Sequence, residues 1–79
     1  MSDDTERRIE ELAAKLATLT ERKAALEKRI RELMDAEDFR AGITFAQEIF
    51  QAKQEKLALD TDMEITRRQR KRLSMGLAE

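Results

Sequence analysis

Large apolar residues recur every three or four positions through the first part of the chain. From residue 9 to residue 33 the separations are 3, 4, 3, 4, 3, 4 and 3. This heptad spacing is typical of a helix that packs along a second helix in a coiled coil. Seven of the eight positions are apolar. The predicted coiled-coil seam consists of Ile9, Leu12, Leu16, Leu19, Lys23, Leu26, Ile30 and Leu33.

Lys23 is the polar exception in this seam, at an a position. A lysine there can lay its aliphatic stem along the seam and keep its ammonium group in water. A polar residue at one a position also penalises wrong registers and higher oligomers, at some cost in stability. The first interpretation is favoured, and the two are compatible.

Two long helices are predicted, over about residues 4–34 and 39–74. The chain has no proline and two glycines, and strong helix formers dominate it. Ser2, Asp3 and Asp4 are candidate N-caps for the first helix. The last residues, 75–79, include Gly76 and are expected to fray.

The turn between these helices is placed at residues 35–38. Phe39 lies off the seam, so the first helix is expected to end before it. Asp35 is a candidate cap for the second helix, and Asp38 is an alternative cap. The alternative is a later break at Gly42, with Thr44 and Gln47 forming a capping box.

The second helix carries two apolar rows, and one row is enough to pack on the first helix. The other row needs a further surface, from a second copy or from a different protein. All three phenylalanines lie within residues 39–50, so we expect that segment to anchor the interface. One row is Phe39, Ile43, Ala46, Phe50 and Leu57, and the other is Phe45, Ile49, Ala52, Leu59 and Met63.

The expected fold is all-α: an antiparallel two-helix hairpin with coiled-coil heptads, forming a single domain and associating into a dimeric four-helix bundle. Large apolar residues number 21 in 79, too few for a lone chain without metal or disulfides. An antiparallel hairpin also brings the acidic start of the chain beside its basic end. A parallel coiled coil of extended chains remains the alternative.

Composition excludes most catalytic chemistry. Without cysteine or histidine there is no thiolate nucleophile, no imidazole base and no zinc ligand of either kind. The 17 carboxylates are spread along positions expected to face solvent, and the two glycines form no phosphate-binding loop. We therefore expect no enzyme activity, no cofactor, no metal and no small-molecule substrate.

A basic cluster near the end of the second helix is the densest charged feature. Its five cations fall within six residues and are candidates for contacts with phosphates or with an acidic partner. They point nearly all the way round a helix, and no aromatic residue lies among them to stack on bases. Charge pairing within the protein is therefore favoured over nucleic acid. The cluster is Arg67, Arg68, Arg70, Lys71 and Arg72.

The function expected from these features is a protein–protein interaction module, such as a small adaptor, inhibitor or assembly factor. Its expected partner is a second copy, a larger protein, or both; a nucleic-acid-binding regulator is the alternative. The longest apolar runs are three residues, far from the roughly 20 that a membrane span needs. With no signal-like start and no cysteine, the expected location is the cytoplasm.

Overall fold

The computed structural model describes residues 2–77 of the chain. It contains two long helices, α1 (Asp3–Ala36) and α2 (Ala46–Ser74). They pack against each other as a hairpin, and the molecule extends 62 × 14 × 12 Å along its principal axes. The predicted all-helical hairpin is confirmed.

Of the three candidate N-caps, Ser2 caps α1. Its Oγ accepts a hydrogen bond from the Thr5 N–H at 3.2 Å, so one of the unsatisfied donors of the first turn is paired. Asp3, Asp4 and Glu6 place negative charge in that turn, next to the positive end of the helix dipole.

A loop over residues 37–45 joins the helices and reverses the chain. Asp38 and Ile43 form a short antiparallel bridge, in which the N–H of each donates to the carbonyl oxygen of the other at 2.9 and 2.8 Å. Between them the Gly42 N–H donates to the Phe39 carbonyl at 3.3 Å. Gly42 has φ +74°, in the left-handed region that glycine adopts most readily.

The observed loop differs in position from the predicted turn. The predicted turn lay at 35–38 and the second helix began at 39, whereas α1 continues through Asp35 and α2 begins at Ala46. The Asp38 carboxylate accepts the N–H groups of Arg40 and Ala41, at 3.1 and 3.2 Å, and holds this segment in a turn. The glycine of the alternative prediction, Gly42, does lie in the loop.

The capping box of that alternative does not form, because Glu37 caps α2 from across the loop. Its Oε2 accepts hydrogen bonds from the Thr44 hydroxyl at 3.0 Å and from the Phe45 N–H at 3.1 Å. Phe45 is the N-cap residue and has no side-chain cap of its own. The Glu37 carboxylate thus supplies both the acceptor and the negative charge that favour a helix N-terminus.

The end of α2 is capped rather than frayed as far as the structure describes it. The Leu77 N–H donates to the Arg72 carbonyl at 2.8 Å, and the Gly76 N–H donates to the Leu73 carbonyl at 3.0 Å. With Gly76 at φ +79°, this is a Schellman motif. Residues 78 and 79 of the predicted frayed tail lie outside the described residues.

Candidate interaction surfaces

The predicted seam lies on the face of α1 that packs on α2. Half of its eight residues are buried and the others are half-buried, including Lys23. This burial recurs every three or four residues from the first turn to the last. The buried residues are Leu12, Leu19, Ile30 and Leu33.

One of the two predicted rows of α2 faces α1. Ile49, Ala52 and Met63 are buried, and Phe45 and Leu59 are half-buried. Ile49 and Ala52 form one cluster with Ile30 and Leu33 near the loop, with Leu26 and Phe45 packed against it.

Two further buried residues of α2, Thr66 and Leu73, were not part of the predicted rows. Thr66 is fully buried, and its hydroxyl donates to the Asp62 carbonyl at 2.7 Å, so the polar group is satisfied within its own helix. Thr66 follows Met63 by three residues, and Leu73 follows Thr66 by seven, which is one heptad. A count of apolar residues alone overlooks this continuation, because threonine is polar.

The other predicted row is turned away from α1. Phe50 and Leu57 of α2 are each 58% exposed, and the loop residues Phe39 and Ile43 are 79% and 45% exposed. The eight residues predicted to form the partner interface are therefore divided: Phe45, Ile49, Leu59 and Met63 pack within the hairpin, and Phe39, Ile43, Phe50 and Leu57 face outwards.

Phe50 and Leu57 belong to a longer uncharged stripe on α2. Successive members are three or four residues apart, all are exposed, and none carries a charge, although 42% of the chain is charged. Three members are large apolar residues and three are polar but uncharged. We call this the outer stripe: Gln47, Phe50, Gln54, Leu57, Thr61 and Ile65.

Ion pairs between the helices flank the buried face. Lys23 Nζ lies 2.6 Å from Asp60 Oδ1, and Lys56 Nζ lies 3.6 Å from Glu27 Oε1. These four side chains are 30–40% exposed, so water screens the pairs less than it would at a fully exposed surface. Lys23 does not simply extend into solvent, since its ammonium group contacts a carboxylate of the other helix.

Grooves of nearly equal volume run between the helices on either side of the hairpin. One, of about 660 Å³, has Arg22 and Arg29 on its α1 side and Glu48 and Glu55 on its α2 side. The other, of about 620 Å³, contains Leu57 of the outer stripe together with members of both ion pairs. Both grooves are open to solvent.

The five cations of the basic cluster do not act as one group. Arg68 Nε lies 3.1 Å from Glu64 Oε1 on the same helix. Arg67, Arg70 and Lys71 instead line one groove together with Leu16 and Ser74. This convergence was not expected from the helical projection of all five residues, which scatters them round the helix.

Among residues 2–77, no group of three or more acidic residues is arranged to hold a metal ion. Neither α1 nor α2, within that range, combines the length and the apolar character that crossing a bilayer requires. Comparisons with known protein families, with characterised proteins and with solved structures find no match to this chain.

Proposed function

We propose that this protein is a non-enzymatic interaction module that forms a homodimer through the outer stripe of α2. The observation that carries the proposal is the stripe itself, which is exposed, uncharged and spaced for packing against another helix. Phe50, the aromatic member of the stripe, is the kind of anchor that dominates interface energetics. The chain has no cysteine for a disulfide framework that would indicate an oxidising compartment, and we propose that the module is cytoplasmic.

The balance of buried and exposed apolar residues supports a partner. Within residues 2–77, eight hydrophobic residues are buried, one of them an alanine, and eight large hydrophobic residues are exposed. A chain of this size gains little stability from one layer of contacts, and small proteins without disulfides or metals commonly add a partner chain. Covering Phe50 and Leu57 would add to the core without any change in the hairpin.

The spacing of buried residues supports coiled-coil packing within each hairpin. The seam of α1 keeps its heptad spacing from Ile9 to Leu33, and Phe45, Ile49, Ala52, Leu59 and Met63 follow compatible spacing on α2. Because the outer stripe is turned away from α1, two hairpins that meet through it would place the four helices in a row, with the two α2 helices at the centre. This proposed dimer is flatter than the dimeric four-helix bundle expected from the sequence, whose helices would surround one shared core.

The outer stripe is complementary to itself when reversed. On either side of Gln54 stand Phe50 and Leu57, and seven residues away on either side stand Gln47 and Thr61. Apolar positions therefore meet apolar positions, and uncharged polar positions meet each other, when two α2 helices pack antiparallel about Gln54. This match supports a second copy as the occupant, in preference to an unrelated helix.

Charge favours the antiparallel orientation over a parallel one. A parallel pair of α2 helices would align the basic residues 67–72 of one copy with those of the other, and like charges in close contact repel. In the antiparallel pair each basic end is about 24 Å from Gln54, so the two ends are about 48 Å apart, at 1.5 Å of rise per residue. That separation exceeds the Debye length of about 8 Å at physiological ionic strength.

The dimer is tested by measuring the mass in solution of the unaltered protein and of two variants, whose substitutions are at adjacent residues. Light scattering should give about twice the 9.2 kDa of one chain for the unaltered protein. Phe50→Glu should reduce the mass to that of one chain, because it places a carboxylate in the stripe. Gln51→Glu adds the same charge at the neighbouring exposed residue, outside the stripe, and should leave the dimer intact. A mass of 9.2 kDa for the unaltered protein at all concentrations would contradict the proposal.

The orientation is tested by disulfide trapping, for which the chain is suited because it contains no cysteine. Gln47→Cys and Thr61→Cys proteins are mixed in equal amounts and oxidised. The antiparallel pair predicts cross-links mainly between the two different variants, since these positions face each other within the Cα range of a disulfide. Cross-links mainly between identical variants would show a parallel pair instead.

A further inference from the structure

The open end of the hairpin carries a groove that combines three cations with a neutral wall. Arg67, Arg70 and Lys71 contribute to it from α2, and Leu16 contributes from α1. The volume of this groove is about 430 Å³. Because Arg70 and Lys71 follow Arg67 by three and four residues along α2, the three cations project from one side of the helix towards the same space.

These three cations have no ion pair with another residue in the described range, 2–77. The carboxylate nearest in sequence, Glu64, already contacts Arg68 at 3.1 Å. Arg67, Arg70 and Lys71 are all exposed. Their charges are therefore available to a ligand. The charges of Lys23 and Lys56, in contrast, are paired across the hairpin.

The α1 wall of the groove contains no carboxylate near the cations. The residues one turn before and after Leu16 are uncharged: Leu12, Ala13, Leu19 and Thr20. The acidic residues at the start of α1 lie at the same end of the hairpin but are not among the residues that line this groove. An anion that enters the groove meets positive charge on one wall and no repulsion from the other.

We infer that this groove binds phosphate groups of a double-stranded nucleic acid without reading its sequence. Arginine forms paired, charge-assisted hydrogen bonds with phosphate oxygens, and the release of counterions provides the affinity. All three aromatic residues of the chain lie at Phe39, Phe45 and Phe50, away from the groove, so it offers no platform for stacking on unpaired bases. The contacts that this groove can make are therefore with the phosphate backbone of a duplex.

This inference does not depend on the dimer, since one hairpin contains the whole groove. Dimerisation through the outer stripe would add a second groove and raise the affinity for a long duplex. Neither the cations nor Leu16 belongs to the outer stripe. The monomeric Phe50→Glu variant should therefore still bind a short duplex, which separates failure of this inference from failure of the proposed dimer.

The test is a binding titration of a fluorescent 20-base-pair DNA duplex at several salt concentrations, with two triple variants. Three phosphate contacts predict a slope of log affinity against log salt of about −2.7 for one hairpin. The Arg67→Ala, Arg70→Ala, Lys71→Ala protein should lose most of this slope and at least about tenfold in affinity. The control, Lys15→Ala, Arg22→Ala, Arg29→Ala, removes the same charge from exposed residues outside the groove and should bind nearly as well as the unaltered protein.

Two further binding experiments, with an RNA duplex and with polyglutamate, identify the source of the phosphates. An RNA duplex of the same length should bind with a similar slope, because the proposed contacts involve only the backbone. Polyglutamate of equal charge should compete about tenfold less well, because its charge density is lower. Equal competition by polyglutamate would overturn the nucleic-acid assignment in favour of an acidic protein. Equal losses in the two triple variants would overturn the groove as the site.

Discussion

Lys23 of α1 and Lys56 of α2 occupy equivalent places in the two helices. Each extends across the hairpin to a carboxylate of the other helix, and each carboxylate lies four residues after the opposite lysine: Asp60 after Lys56, and Glu27 after Lys23. The two ion pairs are therefore reciprocal. A shift of one helix along the other would break both pairs together, so the lysines favour one register.

Removing the Lys23–Asp60 pair should reveal an interaction between the two side chains. A double-mutant cycle with Lys23→Ala and Asp60→Ala should give a coupling free energy of about 0.5–1 kcal/mol, because the pair is partly buried. The measurement is urea unfolding at one fixed protein concentration. In 1 M salt, where the Debye length is about 3 Å, the coupling should decrease.

The control cycle uses Lys28 and Glu32, an exposed pair on α1 with N–O distance 4.0 Å. Its coupling should not exceed about 0.5 kcal/mol, as for other pairs four residues apart on a helix. Equal coupling in the two cycles would show that the contact between helices adds nothing specific.

Replacing Gly42 should cost stability through the backbone alone. An added Cβ would meet nothing within 4 Å, so no clash contributes, but φ +74° is unfavourable for a residue with a side chain. Gly42→Ala should lower the free energy of unfolding by about 1–2 kcal/mol. Gly42→Asn should lose less, because asparagine tolerates this conformation better. Equal losses for the two variants in urea unfolding would point to a cause other than φ.

Glu37 should matter for the start of α2. Glu37→Ala removes the acceptor for the Phe45 N–H and should destabilise the protein by about 1 kcal/mol. Glu37→Gln keeps an acceptor oxygen without the charge, so it should lose about half as much stability as Glu37→Ala. Unfolding in urea measures both, and amide hydrogen exchange in the first turn of α2 should increase in the alanine variant.

Thr66→Val should stabilise the hairpin by about 0.5–1 kcal/mol. The hydroxyl of Thr66 donates to a carbonyl that the helix already pairs, so its loss leaves no buried group unsatisfied, and the valine adds buried apolar surface. Thr20 is the matched control, since it is exposed and its hydroxyl donates to Leu16 in the same way, at 2.8 Å. Thr20→Val should change stability by less than about 0.5 kcal/mol in the same urea titration. A loss of stability in Thr66→Val would contradict the prediction.

Much of the hairpin could be predicted because the α1 seam can be recognised from the spacing of apolar residues along the sequence. Its apolar spacing specifies the buried face without knowledge of the partner helix, and all eight seam residues are buried or half-buried. The two rows of α2 were also separable from their positions, although their spacing alone did not show which row would face α1. The packing decides that choice, and Ile49 rather than Phe50 is buried.

The loop was misplaced because residues 39–45 continue a helix-like apolar pattern. Turn chemistry overrides that pattern: Asp38 binds two N–H groups with its side chain, and Gly42 adopts a positive φ. An aspartate and a glycine four residues apart were the signal available in the sequence. The ion pairs and the cation groove could not be predicted from the sequence, because they depend on which residues of α1 and α2 lie side by side.

The length of the hairpin affects how the protein will behave in solution. A compact chain of 79 residues has a radius of gyration of about 12 Å, whereas that of this hairpin is 17.9 Å. The larger value is typical of a compact protein of about 250 residues. A single hairpin should therefore elute from a gel-filtration column earlier than a globular protein of the same mass, so its elution volume alone would overstate its mass.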